Sequence, residues 1–322
     1  MAGVSVTTVS NYLNGQMSRM SEETRNKVQQ VIEDLNYRPS AAAQSMRSNS
    51  TKVIGVIVGD ISNIFSSLLC GGIQQVLRPK QYSVMLLSTD DDPSEENRCL
   101  DALLRQDVDG IIMQPTQENP EAFYPIVTAR KPLVLVDGQV KAVPVNAGYV
   151  TSDNMQSSSK ACAELHERGY RHIVTVFETT APTSSQQPRL AALRNAAEKQ
   201  SMRITALDVN GHENTWLAQQ IQQAYATGER VVIFPLMGPL LSRTLLALRI
   251  AGLSYPKDLG LISFADSNWA QFVGDRGIDL IQRDINQIGR LAGENILQII
   301  EQGKPEHSEI MVPSKRIAGG SL

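Results

Sequence analysis

From residue 53 onward, short and almost wholly apolar runs alternate with helix-patterned stretches, and this alternation constrains the fold more than any other feature of the chain. The runs are Val53–Val58, Tyr82–Leu87, Val108–Met113 and Pro132–Val136, then His172–Phe177, Met202–Leu207, Arg230–Phe234 and Leu259–Phe264. Helical periodicity separates them near Phe65–Leu77, Ser94–Arg105 and Pro120–Ala129, and later near Asn154–Arg168, Pro188–Lys199, Glu213–Ala226 and Pro239–Ala251. A strand that is apolar on both faces must be covered on both, which calls for a parallel sheet between helix layers. Two sets of such units predict an α/β core of two doubly wound parallel-sheet lobes.

The first 51 residues have another texture, that of a small all-α headpiece. Gly3 supplies a turn, and Ser5 is a good N-cap for a helix running to about Leu13. Val4, Val9 and Leu13 form its apolar stripe, while Val6, Thr7, Ser10, Asn11 and Asn14 face away. Ser21 then caps a helix to about Leu35, with Val28, Val31, Ile32 and Leu35 on one face. Asparagine pairs bidentately with adenine, and threonine or valine methyls touch the thymine methyl in the major groove. For any one of these residues a solvated helical hairpin of an ordinary domain is the better explanation; the ordered series reverses that in favour of nucleic acid.

Charge fits that division. The chain of 322 residues is 42% hydrophobic and carries a net charge of −3. Residues 1–52 hold six basic and four acidic side chains, which leaves the remainder at −5. A mildly basic headpiece on an acidic body suits DNA binding at one end. Cys70, Cys99 and Cys162 are widely spaced, without a CxxC pair, so reduced thiols in a cytoplasmic protein are expected. No signal peptide reads ahead of the body, and no apolar run approaches the roughly 20 residues of a membrane span.

Several segments together carry a resemblance: Ala2-Gly3-Val4-Ser5, Thr8-Val9-Ser10, Asn14, Ser21 through Arg25, Tyr37-Arg38-Pro39, Ile54-Gly55-Val56-Ile57, Asp60-Ile61-Ser62-Asn63, Val108-Asp109-Gly110-Ile111-Ile112 and Asp153-Asn154. In this order and spacing, over essentially the whole chain, they resemble the LacI family of bacterial transcription repressors. The resemblance implies a helix-turn-helix headpiece over 1–38, a hinge helix and linker over 39–51, and a periplasmic-binding-protein-like core over 52–322. It further implies that the chain crosses between the lobes three times, with lobe 1 at about 52–152 and 284–311 and lobe 2 at about 153–283 and 312–322. The family carries another helix ahead of the recognition helix, whereas here Met1 falls in the turn. This chain is therefore expected to bind its operator more weakly than one extended upstream.

Ligands of such sheets bind beyond the carboxyl ends of the strands, so an effector is expected between the lobes. Asn63 and Phe65, after the first strand, offer an amide and a stacking ring. Asp60 or Ser62 nearby serves as well as a plain helix cap, and so does the pair Asp153-Asn154. Arg189 opens a helix, where a cation suits the dipole badly unless it meets an anionic or hydroxyl-rich partner. In the family this position contacts the effector. Trp269 covers the ligand's apolar face or is simply core.

Departures from the family narrow the effector. Ala265 stands where the family usually places the first of two acids, Arg283 where a neutral residue is common, and Met237-Gly238 where a polar pair is usual. The expected effector is a small anion, a sugar acid, held by Arg189 and Arg283. The alternative pairs Arg283 with Asp266 or Asp284 and makes the effector a neutral sugar.

By the same resemblance two chains form a homodimer on a pseudo-palindromic operator, tetramers not being excluded. Val6, Thr7 and Asn11 read bases, and Ser5, Thr8 and Asn14 mostly touch phosphate. Residues 40–47 fold as a hinge helix in the minor groove, with Met46 as the wedge beside Arg47 where leucine is common, and with Gln44 where arginine is common. Induction and corepression both remain open. A two-lobed sugar-binding protein without effective DNA binding is the competing class. An enzyme is not expected: His166, His172, His212 and His307 are scattered, and Gly-x-Ser-x-Gly and Gly-Lys-Ser/Thr loops are absent. The Asp90–Asp92 triplet reads as a solvated loop and cap, so neither metal nor cofactor is expected.

Overall fold

The computed structural model describes residues 3–13, 15–35, 50–179, 182–266 and 269–322. Asn14, Gln44, Met46, Arg47 and the expected hinge helix lie outside the described residues. The chain forms two compact units, 1–51 and 52–322.

In the first unit, α1 spans Val6–Leu13 and α2 spans Glu22–Asp34. Ser5 Oγ accepts from the Thr8 amide at 3.1 Å, and Ser21 Oγ accepts from the Thr24 amide at 3.3 Å, so each helix begins on a hydroxyl cap. Glu22 and Glu23 in the first turn of α2 face the positive end of its dipole. Val28 is the buried residue of this helix, and Val4, Val9 and Leu13 are half-buried. Leu35 departs from its expected place on the apolar face. The helix ends at Asp34, leaving Leu35 as an exposed C-cap.

The second unit holds two six-stranded sheets. In chain order the first contains β1 (Val53–Val58), β2 (Ser83–Ser88), β3 (Gly110–Met113), β4 (Leu133–Val136), β5 (Gly148–Ser152) and β11 (Glu309–Val312), arranged 11-5-4-3-1-2. The second contains β6 (His172–Phe177), β7 (Arg203–Asp208), β8 (Val231–Pro235), β9 (Gly260–Ala265), β10 (Asp279–Gln282) and β12 (Lys315–Ile317), arranged 12-10-9-8-6-7. The pairs are parallel except β10 with β12, which is antiparallel. Ile54, Val56 and Val58 pack into one apolar cluster and Ile57 into another, so β1 is buried on both faces. Four strands escape the sequence pattern: β5, β10, β11 and β12. Each is short, and Glu309, Lys315 and Arg316 interrupt their apolar signal.

The helices of the core are α3 (Ile64–Leu77), α4 (Pro93–Arg105), α5 (Tyr124–Thr128), α6 (Asn154–Glu167), α7 (Gln186–Lys199), α8 (Asn214–Tyr225), α9 (Gly238–Ala251) and α10 (Ile285–Gln302). Helix α10 follows a strand of the second sheet yet packs on α3 beneath the first, and glycines permit the approach. A Cβ on Gly289 would lie 2.2 Å from the Leu69 carbonyl oxygen, and one on Gly72 would lie 2.1 Å from that of Asn286. The chain thus passes between the sheets at residues 152–153, 283–284 and 313–314. Asp153 Oδ1 accepts from the Ser314 amide at 2.8 Å and ties two of these crossings together.

Candidate functional site

The carboxyl ends of strands from both sheets converge on one cleft. The first sheet contributes Asn63 and Phe65 after β1, Gln114 and Pro115 after β3, and Asp137 after β4. The second contributes the turn before α7, Met237 after β8, Asp266 after β9 and Arg283 after β10.

Each of these side chains is fixed locally. Asn63 caps α3, its Oδ1 accepting from the Phe65 amide at 3.0 Å, which turns the buried Phe65 ring into the cleft wall. Gln114 is held by the Gly59 amide, which donates to its Oε1 at 3.1 Å. The loop that follows is anchored from below by Glu96 of α4, fully buried, which accepts from the Thr116 amide, from Thr116 Oγ1 at 2.9 Å and from Gln117 Nε2 at 3.0 Å. Burial raises the Glu96 carboxyl above its ordinary pKa even with these three donors. Thr183 of the second lobe reaches across, its hydroxyl donating to the Pro115 carbonyl and its own carbonyl accepting from the Gln139 amide at 2.8 Å.

Arg283 is 5% exposed and committed to two carboxylates. Its Nε and Nη2 grip Asp266 at 2.6 and 2.7 Å, its Nη1 donates to Asp137 at 2.8 Å, and the group lies 5.3 Å over the Phe65 ring. Burial opposes its charge, but Asp137 and then Asp266 outweigh this and hold it well above the usual guanidinium value. The pairing with Asp266 was the alternative considered above; Asp137 is an added partner. Arg283 therefore offers no spare charge to an anion in this arrangement.

Arg189 differs from its sequence-based placement. Helix α7 starts at Gln186, whose side-chain amide pairs with both the amide and the carbonyl of Glu178, so Arg189 lies in the first turn and is 0% exposed. It stands behind the cleft lining. Its Nε donates to Asn154 Oδ1 at 2.8 Å, its Nη1 donates to the Leu236 carbonyl, and it lies 4.2 Å over the Phe264 ring. Nη2 has no hydrogen-bond partner among the described residues. Burial, then the charge of Arg283, pushes this guanidinium down to about 9.

Of the other expected contacts, Trp269 is 39% exposed on a short 3-10 turn and does not line the cleft. Asp153 is spent on the crossing, away from the cleft. Ala265 is core, packed in the second lobe's apolar cluster. Asp137, Thr183 and Glu96 were missed. For Asp137 the sequence does carry a signal, an acid immediately after the apolar run of β4. Among the described residues no group of three His, Cys, Asp or Glu side chains is arranged to hold a metal, and no helix is long and apolar enough to cross a membrane.

On the headpiece, Ser5, Val6 and Thr7 are exposed, with Val6 at 83%. Thr8 and Asn11 are half-buried, and Ser5 Oγ lies 2.9 Å from Thr8 Oγ1. An apolar valine so exposed at a helix start, between hydroxyls, suits contact with a base methyl and its flanking phosphates.

The model of bacterial regulatory proteins of the lacI family matches residues 1–40. That of periplasmic binding proteins and the sugar binding domain of the LacI family matches 51–221, and a periplasmic binding protein-like domain matches 162–322. The chain is 29% identical to the HTH-type transcriptional regulator KdgR of Bacillus subtilis, over 100% of this chain and 95% of that protein. It is 31% identical to the HTH-type transcriptional regulator PtxS of Pseudomonas putida, over 92% of this chain and 86% of that protein. Its fold matches the Lac repressor dimer bound to operator and the anti-inducer ONPF with a TM-score of 0.84 at 20% identity, covering 99% and 96% of the two chains. With a helix exposed at its first turn on one unit, a polar cleft at the strand ends of the other, and family models matching both, the chain belongs to the LacI family of DNA-binding transcriptional regulators.

Proposed function

We propose that the chain is a homodimeric repressor of a carbohydrate catabolic operon, and that its operator affinity is set by a sugar acid bound in the cleft. Val6, Thr7 and Asn11 read bases and Ser5 and Thr8 hold phosphate, a reading supported at Ser5, Val6 and Thr7 by their exposure at the start of α1. A carbohydrate effector is supported by the family description of the core, which names a sugar binding domain.

The acid is supported by one observation: Arg189 is a buried guanidinium that, among the described residues, has no hydrogen-bonded carboxylate and leaves Nη2 unpartnered. A buried charge without a hydrogen-bonded counter-ion is costly, and an incoming carboxylate repays that cost with a charge-assisted bond. Arg283 holds the wall by keeping Asp137 and Asp266 neutralised, and the hydroxyls of the ligand meet Asn63, Gln114 and the two acids. Because Arg189 bonds the carbonyl of Leu236, next in the chain to the cleft-lining Met237, the carboxylate reaches it as the lobes part and reclose, which couples the ligand to lobe geometry.

Isothermal titration of the chain with gluconate, 2-ketogluconate and glucose tests this. At least one acid is expected to bind about tenfold or more tighter than glucose, a difference of about 1.4 kcal/mol, and to lose that advantage in Arg189→Met. Binding of glucose with both acids inert overturns the sugar-acid reading. A gel shift on operator DNA, with and without the binding acid, then reads the coupling.

A further inference from the structure

Among the acids that line the effector cleft, one is left without a partner by the described residues. Asp60 accepts from the Ser62 amide and the Ser62 hydroxyl, each at 2.7 Å, and Asp137 and Asp266 share Arg283. In the turn after β2, Asp92 caps α4, but Asp91 turns into the cleft wall, and no described group donates to its carboxylate. The backbone of Asp91 is left-handed, with φ of +58°, and its amide donates to the Gly59 carbonyl at 3.3 Å. This folds the side chain back over the end of β1, where glycine makes the room. A Cβ on Gly59 would lie 2.3 Å from Asp91 Oδ1 and 3.5 Å from Gln114 Oε1. Asp91 and Gln114 thus meet over one bare backbone position. Gln114 spends its Oε1 on the Gly59 amide and keeps its Nε2 to donate. An acceptor beside a donor matches the neighbouring hydroxyls of a sugar.

Strand order polarises the cleft. The first sheet runs 11-5-4-3-1-2, so Asp137 after β4 and Gly59 after β1 stand two strand spacings apart, roughly 10 Å. The Asp137 end carries the Arg283 cation, whose charge Arg189 also feels. At the Asp91 end the field is negative. Burial first, then Asp60, Asp90 and Glu178 of the second lobe, raise the Asp91 carboxyl above its ordinary value. A ligand hydroxyl gains at that end, because its hydrogen bond to a carboxylate is charge-assisted. A ligand carboxylate there adds one more like charge to a partly buried acidic group and is repelled.

We infer that Asp91 is the specificity-determining residue for the far end of the effector: it accepts that end's hydroxyls, and so admits monocarboxylate sugar acids and excludes dicarboxylates. The choice of acids rests on the sugar-acid reading above, whereas the contact with hydroxyls does not.

Isothermal titration of the full chain and of Asp91→Asn with gluconate, 2-ketogluconate, glucarate and glucose tests this. Asparagine also adopts the left-handed conformation, so the turn is kept, and equal melting temperatures of the two chains check it. The parent is expected to bind gluconate or 2-ketogluconate about tenfold or more tighter than glucarate. Asp91→Asn is expected to weaken that monoacid about tenfold, through the lost charge-assisted bond, and to narrow its lead over glucarate. Unchanged affinity for the monoacid in Asp91→Asn overturns the inference. So does glucarate binding the parent as tightly as the monoacid, or a variant that weakens both acids alike. Glucose binding with all three acids inert overturns the sugar-acid reading instead; Asp91 then keeps its contact with hydroxyls if Asp91→Asn weakens glucose, and loses it otherwise.

Discussion

Arg283 donates from Nη1 to Asp137 over 2.8 Å and so joins the end of a first-sheet strand to the crossing that leaves the second sheet. With its other two nitrogens on Asp266, one guanidinium neutralises an acid from each lobe. Removing the cation leaves two buried carboxylates facing each other, the situation in which a buried pair is costly to break. Arg283→Met is expected to lower unfolding free energy by about 3–5 kcal/mol in urea titration. Arg283→Lys keeps the charge but cannot present a planar fork, and is expected to fall between the two. Adding Asp137→Asn and Asp266→Asn to Arg283→Met is expected to recover part of the loss, and a purely additive result would argue against the pairing.

The return of α10 to the first lobe depends on backbone contact rather than on side-chain fit. At Gly289 any Cβ meets the Leu69 carbonyl and the backbone around it, which cannot swing aside as a side chain would. Gly289→Ala gains helix propensity and is nevertheless expected to destabilise the chain by about 1–3 kcal/mol, the usual cost of overpacking. Thermal unfolding measures it. Gly303→Ala offers a contrast, because open space surrounds that position and only its φ of +77° resists the change.

Much of this fold was legible because its information is local. The all-apolar runs of β1, β3, β4, β6, β8 and β9 and the hydroxyl caps at Ser5 and Ser21 depend on neighbours in sequence, and the structure places them there. The strands β5, β10, β11 and β12 escape the sequence because they exist through pairing with distant segments, Glu309 with Tyr149 and Lys315 with Gln282, which no local pattern announces. The cleft was legible to the extent that ligand sites follow strand ends, which gave Asn63, Phe65 and Arg283. What Arg283 does there depends on Asp137, 146 residues away, and on the depth at which α7 buries Arg189. Trp269 misled because an aromatic residue near a strand end reads alike whether its ring faces a ligand or solvent.

The first turn of α1 separates recognition from stability. Val6 and Thr7 are exposed, so their replacement leaves the apolar stripe of Val4, Val9 and Leu13 intact. Val6→Ala and Thr7→Ala are each expected to change the melting temperature little while weakening operator binding by about 1–3 kcal/mol for each lost base contact. Gel-shift titration at fixed salt against specific and scrambled duplexes reads this. A loss equal on both duplexes would move these residues from base contact to phosphate contact.

The C-terminal segment offers a titration with a definite sign. Asp279, 1% exposed, accepts from the Ser321 amide at 3.0 Å and the Ser321 hydroxyl at 3.2 Å and pairs with Arg316, which also grips Glu164 at 2.8 and 2.9 Å. Burial works against the charged carboxylate, but the Arg316 side chain and the Ser321 and Gly319 amides win, so its pKa lies below the ordinary 3.8. A carboxyl depressed in the folded chain stabilises it above the unfolded value and ceases to do so as pH falls through the folded one. Asp279→Asn is therefore expected to cost about 3 kcal/mol near neutral pH, with the gap to the parent constant down to about pH 5 and closing below pH 4. Urea titrations from neutral to acid pH measure it, and a gap that widens on acidification would show that Asp279 is not held as the charged partner of Arg316.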